Sequence, residues 1–320
     1  MRIFITGASG FVGGAFVRAS GGRHTITAMS RSEASDERLH GLGASPIRCS
    51  LDDVTSQQMK GAEAVVHCAA YVEEWGPWAD YWRVNVEGTQ RLLAAAREAG
   101  VHRFVHIGTE AAILHGQSLH NADETVPLAL DSPFPYSRTK AHAEKHVREA
   151  NAPSFETIVV RPRFVWGPGD ETILPALRAM VAAGRFAWID GGRNRTSTTY
   201  IANLSYAIEL ALTNGRAGDA YFVLDGDAVQ FRDFLTRLAN AAGLALPGRN
   251  VPGWLARAIA YAGERTWRVF SLKGRPPLTR FAASILSRDC ILSDAKARRE
   301  MGYAPPFTIE QGLAAMAAAR

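Results

Sequence analysis

The chain has 320 residues, 47% of them hydrophobic and 21% charged, with a formal net charge of +5. That length and balance provide a large globular core and exclude a disordered or fibrous chain. No apolar run approaches the roughly 18 residues of a spanning helix, and three cysteines without a C-x-x-C pair (Cys49, Cys68, Cys290) argue against a disulfide frame or a zinc site.

The first element is a short apolar strand, Ile3-Phe4-Ile5, followed at once by Thr6-Gly7-Ala8-Ser9-Gly10-Phe11-Val12-Gly13 and a helical pattern. A strand that meets glycines and then a helix marks a dinucleotide-binding βαβ unit. Gly7 permits the tight turn, Gly10 admits a pyrophosphate to the backbone, and Gly13 lets the helix pack on the sheet. The helix start offers free N–H groups and a positive dipole end. Because these first residues read as a core strand and not as a signal peptide, and the thiols as reduced, a cytoplasmic location is expected.

Further strand-like runs are predicted at Thr25–Met29, Ile47–Cys49, Ala64–Cys68, Phe104–Ile107 and Thr157–Val160. Helical patterns lie between them, the clearest from Trp78 to Ala99. This alternation predicts an α/β fold with a doubly wound parallel sheet, ligands gathering at the carboxyl ends of the strands. After Val165 the rhythm breaks. Residues 1–165 with 196–225 are expected to form the nucleotide domain, and 166–195 with 226–320 a smaller, mostly helical substrate lid.

The chemistry concentrates in two places. Tyr136-Ser137-Arg138-Thr139-Lys140 opens a helix after Pro133 and Pro135. Tyr136 and Lys140 are four apart and share a face. A nearby ammonium is expected to lower the phenol pKa, so that Tyr136 exchanges a proton with a carbonyl or alcohol oxygen. Phe104-Val105-His106-Ile107-Gly108-Thr109 is a strand ending in a hydroxyl that is placed to meet the same oxygen. His102 and His106 lack a third convergent ligand, so they read as structural and no metal site is expected.

TGASGFVG, the strand-end Thr109 and YSRTK resemble the short-chain dehydrogenase/reductase superfamily, extended branch (the NAD-dependent epimerase/dehydratase type). His67-Cys68-Ala69-Ala70, Asn85-Val86-Glu87-Gly88-Thr89 and Arg161-Pro162-Arg163-Phe164-Val165-Trp166-Gly167-Pro168 match further motifs in order. Thr109-Glu110-Ala111, Pro276-Pro277-Leu278-Thr279-Arg280 and Ser293-Asp294-Ala295-Lys296-Ala297-Arg298 with Gly302-Tyr303 are most similar to the 3β-hydroxysteroid dehydrogenase-like subgroup. That subgroup includes sterol and 2-alkyl-3-oxoacid reductases. The resemblance implies a Rossmann-type domain and a homodimer.

It also implies roles, residue by residue. Tyr136 is the general acid/base, Lys140 holds the nicotinamide ribose, and Thr109 polarises the carbonyl. Asn85 supports its helix or relays a proton. Gly7, Ser9, Gly10, Phe11, Val12 and Gly13 hold the diphosphate. Ala69 and Ala70 line the cofactor, and Pro162 to Val165 contact the nicotinamide amide. Two positions depart from the pattern. Ser30 replaces the acid that binds a ribose 2′-hydroxyl in many NAD-using relatives, and Arg31 offers a cation for a 2′-phosphate. NADP(H) is therefore preferred over NAD(H). At Cys49-Ser50-Leu51-Asp52 the usual adenine-contacting Asp is Ser50, and the contact is expected to pass either to Asp52 or to the backbone at Leu51 and Asp52.

The expected function is reduction or oxidation of a ketone/secondary alcohol on a bulky apolar small molecule, steroid-like or a β-keto fatty compound. The alternatives are a nucleotide-sugar epimerase or dehydratase that retains NAD, and a non-catalytic nucleotide sensor. From Arg249 to Glu300 eleven Lys or Arg face four Asp or Glu, a local +7 that leaves the remainder at −2. No nucleic-acid motif accompanies these cations. The stretch Trp254–Phe270 is amphipathic and basic, which suits a lid helix or a peripheral membrane contact.

Overall fold

Successive side chains of most core strands are buried, which is what a sheet covered on both faces requires. The computed structural model describes residues 1–319. Seven strands make the central sheet: β1 (Arg2–Thr6), β2 (Thr25–Ser30), β3 (Ser45–Arg48), β4 (Ala64–His67), β5 (Arg103–Ile107), β6 (Glu156–Pro162) and β7 (Ala220–Val223). Their spatial order is β7-β6-β5-β4-β1-β2-β3, and every pairing is parallel. The chain leaves β1 towards β2 and returns on the other side as β4. This reversal opens a crevice above the carboxyl ends of β1 and β4.

One face of the sheet packs Phe16 and Val17 of the Phe11–Ser20 helix with Leu204, Ala207 and Ile208 of the Ile201–Ala211 helix. The other packs Leu92 and Leu93 of the Gly88–Glu98 helix with Val147 of the Pro135–Glu149 helix. The helical stretch expected from Trp78 is present, but Trp82–Glu87 within it is a π-helical turn. Such turns collect at functional positions.

A second, four-stranded sheet joins Val229–Gln230, Arg195–Thr196, Cys290–Leu292 and Leu119–Ala122. Its strands are two to four residues long, too short for alternation to reveal them in sequence. One segment expected in the lid packs elsewhere. Ala297, Met301 and Tyr303 join the core beneath β7, where the Tyr303 hydroxyl donates to the Leu224 carbonyl at 2.9 Å. Among the described residues no helix is long and apolar enough to cross a membrane.

Candidate active site

The turn after β1 is built by close backbone approach. Gly7 has φ +71°, and a Cβ there would sit 2.7 Å from the Ala69 nitrogen. A Cβ on Gly13 would sit 2.4 Å from the Gly7 carbonyl oxygen. Gly10 leads the Phe11–Ser20 helix and provides no side-chain cap, so the first helical N–H groups face the crevice without an internal partner. This arrangement fits an anionic diphosphate.

The crevice is a cleft of about 660 Å³. Gly7, Ser9, Gly10, Phe11, Val12, Gly13, Arg31, Leu51, Asp52, Ala69, Ala70, Thr109, Tyr136, Lys140, Pro162 and Val165 all line it. Two expected residues do not. Ser30 is buried behind the wall, its hydroxyl donating to the Ser32 carbonyl at 3.2 Å. Asn85 is buried in the π-helical turn, where its side chain is fully spent. Its Oδ1 accepts from the Tyr71 N–H at 2.7 Å, and its Nδ2 donates to the Tyr71 carbonyl and the Thr139 hydroxyl, both at 3.1 Å. The Asn85 carbonyl accepts from Thr89 at 2.7 Å. Asn85 thus braces the loop at Tyr71 against the helix that carries Tyr136 and Lys140.

At the ribose end, Arg31 is exposed on the cleft wall beside Ser35, with no hydrogen bond or ion pair among the described residues. Asp52 lies nearby, its carboxylate held by Arg83 and, at 3.2 Å, by Arg91. Asp53, which no sequence motif signals, accepts from both the Ser50 N–H and hydroxyl at 2.6 Å and fixes that turn. Arg38 and Glu171 pair at 2.7 Å between the helix after β2 and the loop 167–172.

Three helical residues and one strand end meet at the other end of the cleft. Lys140 is 3% exposed, and its Nζ donates to the Ile107 carbonyl at 2.8 Å and to His106 Nε2 at 3.3 Å. Burial pushes its ammonium down to about 8. Strand register explains His106: Thr6, His67 and His106 are direct neighbours across β1, β4 and β5. His67 is satisfied on both nitrogens, by Thr6 at 2.7 Å and Thr89 at 3.0 Å. His106 accepts from Lys140 through Nε2, so its proton lies on Nδ1, which has no partner among the described residues. Burial, then the Lys140 charge, hold both rings neutral, His67 down at about 3.

The Tyr136 phenol departs from the sequence expectation. Burial and then the Glu110 carboxylate raise its pKa well above the ordinary value, against a lowering by the Thr109 hydroxyl. Lys140 is not among the groups that shift it; its ammonium bonds to the Ile107 carbonyl and to His106. Tyr136 is thus neutral at physiological pH.

Glu110, Phe281 and Ile285 are cleft residues that the motifs did not assign. Glu110 is buried, accepts from the Thr109 hydroxyl at 2.7 Å and is paired with Arg163. Arg163 also donates to Thr196 at 3.3 Å, tying this corner to the small sheet. Phe281 sits edge-on to the Tyr136 ring, centroids 5.7 Å apart. It lies on the Arg280–Ser287 helix, within the span expected only as a mostly helical lid. Phe164, also on the wall, has φ +45°, the kind of strained backbone that functional sites hold.

Residues 4–252 match the model of the 3-beta hydroxysteroid dehydrogenase/isomerase family. The chain is 41% identical over 319 residues to a 4-hydroxy-2-methyl-3-oxo-4-farnesyl-3,4-dihydroquinoline-1-oxide ketoreductase of Stigmatella aurantiaca, covering 99% of this chain and 96% of the relative. It is 36% identical over 324 residues to a 2-alkyl-3-oxoalkanoate reductase of Stenotrophomonas maltophilia, covering 98% and 97%. The crystal structure of gox2253 superposes with a TM-score of 0.78 at 26% identity, covering 98% of this chain and 96% of that one. The chain belongs to the 3-beta hydroxysteroid dehydrogenase/isomerase family and is an NAD(P)-dependent oxidoreductase of the extended short-chain dehydrogenase/reductase type.

Proposed function

We propose that the protein reduces a ketone on a bulky apolar molecule to the secondary alcohol, using NADPH. The observation that carries this reading is the neutral Tyr136 phenol beside Thr109, with Phe281 and Ile285 on the same cleft. The phenol is neutral at physiological pH and so carries the proton that carbonyl reduction consumes. The two relatives above are named for reduction of oxo groups on a farnesyl-bearing and an alkyl-bearing molecule, respectively.

The Gly7–Gly13 turn and the helix start hold the diphosphate, Arg31 and Ser35 the 2′-phosphate, Lys140 the ribose, and Pro162 and Val165 the nicotinamide amide. When bound, the dinucleotide supplies the hydride. Tyr136 gives its hydroxyl proton to the carbonyl oxygen as that oxygen becomes the alcohol. Thr109 orients the oxygen, and Lys140, charged below about pH 8, keeps the ribose beside Tyr136. A sugar dehydratase pairs two acids after the strand-end threonine; here Ala111 follows Glu110, so that alternative has one acid too few.

The test is NADPH oxidation with a panel of sterol ketones, 2-alkyl-3-oxoacids and nucleotide sugars. Tyr136→Phe is expected to lower kcat by about 100-fold or more with NADPH affinity retained. Full turnover in that variant, or retention of NAD with no net oxidation of NADPH, overturns the reading.

A further inference from the structure

One buried carboxylate of the cleft has no part in the proposed reaction. Glu110 follows Thr109 just beyond β5 and is 4% exposed, yet it lies on the cleft wall with Tyr136 and Phe281. Its Oε1 is paired with Arg163. Its Oε2 accepts from the Thr109 hydroxyl at 2.7 Å. Arg163 is itself buried; its Nε donates to Thr196 at 3.3 Å and its backbone N–H to the Thr199 hydroxyl at 3.0 Å. A pair that only fastened the strand end to the small sheet needs neither a place on the cleft nor the Thr109 proton.

The hydrogen bonds then fix what this corner offers a substrate. A hydroxyl has one proton and two lone pairs. The Thr109 proton goes to Glu110, and one lone pair accepts from the Ala111 N–H at 3.2 Å. What remains on Thr109 is an acceptor. Glu110, with one partner on each oxygen among the described residues, keeps lone pairs of its own. The Lys140 ammonium is directed at Ile107 and His106 and, in the proposed reaction, at the ribose. The neutral Tyr136 phenol, which borders the Thr109 hydroxyl, is therefore the side-chain donor of this corner. One donor stands beside two acceptors.

We propose that the substrate is an α-hydroxy ketone, held with its carbonyl oxygen at Tyr136 and its neighbouring hydroxyl donating to the Glu110–Thr109 pair. This rests on the reading that Tyr136 gives its proton to a ketone. A lone ketone oxygen accepts and never donates, so it meets Tyr136 and covers the free lone pairs of Thr109 and Glu110 with carbon, at a cost. A hydroxyl on the next carbon supplies the missing donor. Vicinal oxygens lie about one hydrogen-bond length apart, as Thr109 and Glu110 do, so donor and acceptors are reached together. The hydroxyl takes no part in bond making. Hydride and proton add across the carbonyl, and the product is a vicinal diol whose new O–H also finds an acceptor in Thr109. The apolar remainder lies along Phe281 and Ile285. Glu110 is then a specificity residue: it favours the hydroxy ketone by penalising the ketone that lacks the donor.

The test compares three probes on one skeleton: benzoin; its methyl ether, which keeps the oxygen and loses the donor; and deoxybenzoin, which lacks both. With NADPH, kcat/KM for benzoin is expected at least about 30-fold above that for either of the others. In Glu110→Gln the preference is expected to fall to within about threefold. Arg163 has donors only, so the amide oxygen stays with it and the amide N–H meets Thr109, where an acceptor was. The comparison of benzoin with its ether needs no variant, so it decides the matter even if Glu110→Gln folds poorly. Calorimetric binding of the probes to Tyr136→Phe reads the same preference without relying on turnover. If benzoin binds there at least about tenfold more tightly than its ether while no probe drives NADPH oxidation in the parent, this inference holds and the reduction fails. Equal kcat/KM and equal affinity for benzoin and its ether overturn the inference and leave the reduction standing. So does a preference that Glu110→Gln leaves unchanged, and binding of none of the three probes overturns it too.

Discussion

Lys140 Nζ lies 3.3 Å from His106 Nε2, a contact between the helix that carries Tyr136 and the middle of the sheet. The neutral imidazole stabilises the charged ammonium by accepting its hydrogen bond. His106→Leu removes that acceptor and leaves the Ile107 carbonyl alone. The lysine pKa then falls further below about 8, and the alkaline limb of kcat/KM is expected to move to lower pH. A pH profile of variant against parent reads this directly; an unmoved limb means that His106 does not act on Lys140.

The same buried row predicts how stability varies with pH. His67 titrates near 3 and His106 well below 6.5 in the folded chain. Between those values and 6.5 the unfolded chain binds the extra protons, so stability rises with pH across that window. As pH falls below 6.5, each ring is expected to cost up to about 1.4 kcal/mol per pH unit. Lys140 acts in the same direction at alkaline pH. Its pKa of about 8 lies below the ordinary 10.5, so the penalty for a buried ammonium is full below pH 8 and fades as pH rises to 10.5. Denaturant midpoints at pH 5, 7 and 9 check both windows.

Much of this site was readable in advance, and the unread part has a common cause. The glycine turn, Thr109, Tyr136 and Lys140 are local signals: each motif fixes its own backbone and its place at a strand end. Whatever depended on register or on distant chain was not readable. His106 looked structural until β4 and β5 set it beside His67 and the lysine. Glu110 could be found beside Thr109 in sequence, but its partner Arg163 is 53 residues away. The expected lowering of the Tyr136 pKa failed for that reason, since the distant fold supplies burial and a carboxylate. The small sheet was missed because strands of two residues have no period to read.

The Pro135–Glu149 helix is anchored to β6 by a fully buried pair. Glu144 accepts from Arg161 Nε at 2.8 Å and again from the guanidinium Nη2, with the cation 5.2 Å from the Phe222 ring centroid. Glu144→Ala leaves an unpaired buried cation and is expected to cost about 3–5 kcal/mol. Replacing both partners with apolar residues, Glu144→Leu with Arg161→Met, is expected to recover most of that loss. Urea unfolding of the two variants separates a stranded charge from lost packing; equal losses in both sink the account.

The proposed preference for NADPH turns on Arg31. Its guanidinium is exposed on the cleft wall with no partner among the described residues, so it is free to meet a dianionic 2′-phosphate. Ser30 contributes no acid and points its hydroxyl away, at Ser32. Arg31→Ala is therefore expected to raise KM for NADPH about 10- to 100-fold while leaving KM for NADH within a factor of about two, since hydrogen bonds to charged groups contribute about 1.5–3 kcal/mol. Ser30→Asp is expected to lower KM for NADH and raise it for NADPH, by adding an acceptor for the hydroxyl and repulsion against the phosphate. Steady-state kinetics with both nucleotides at one ketone concentration decide the matter. Equal effects of Arg31→Ala on the two cofactors mean that the guanidinium does not read the 2′ position.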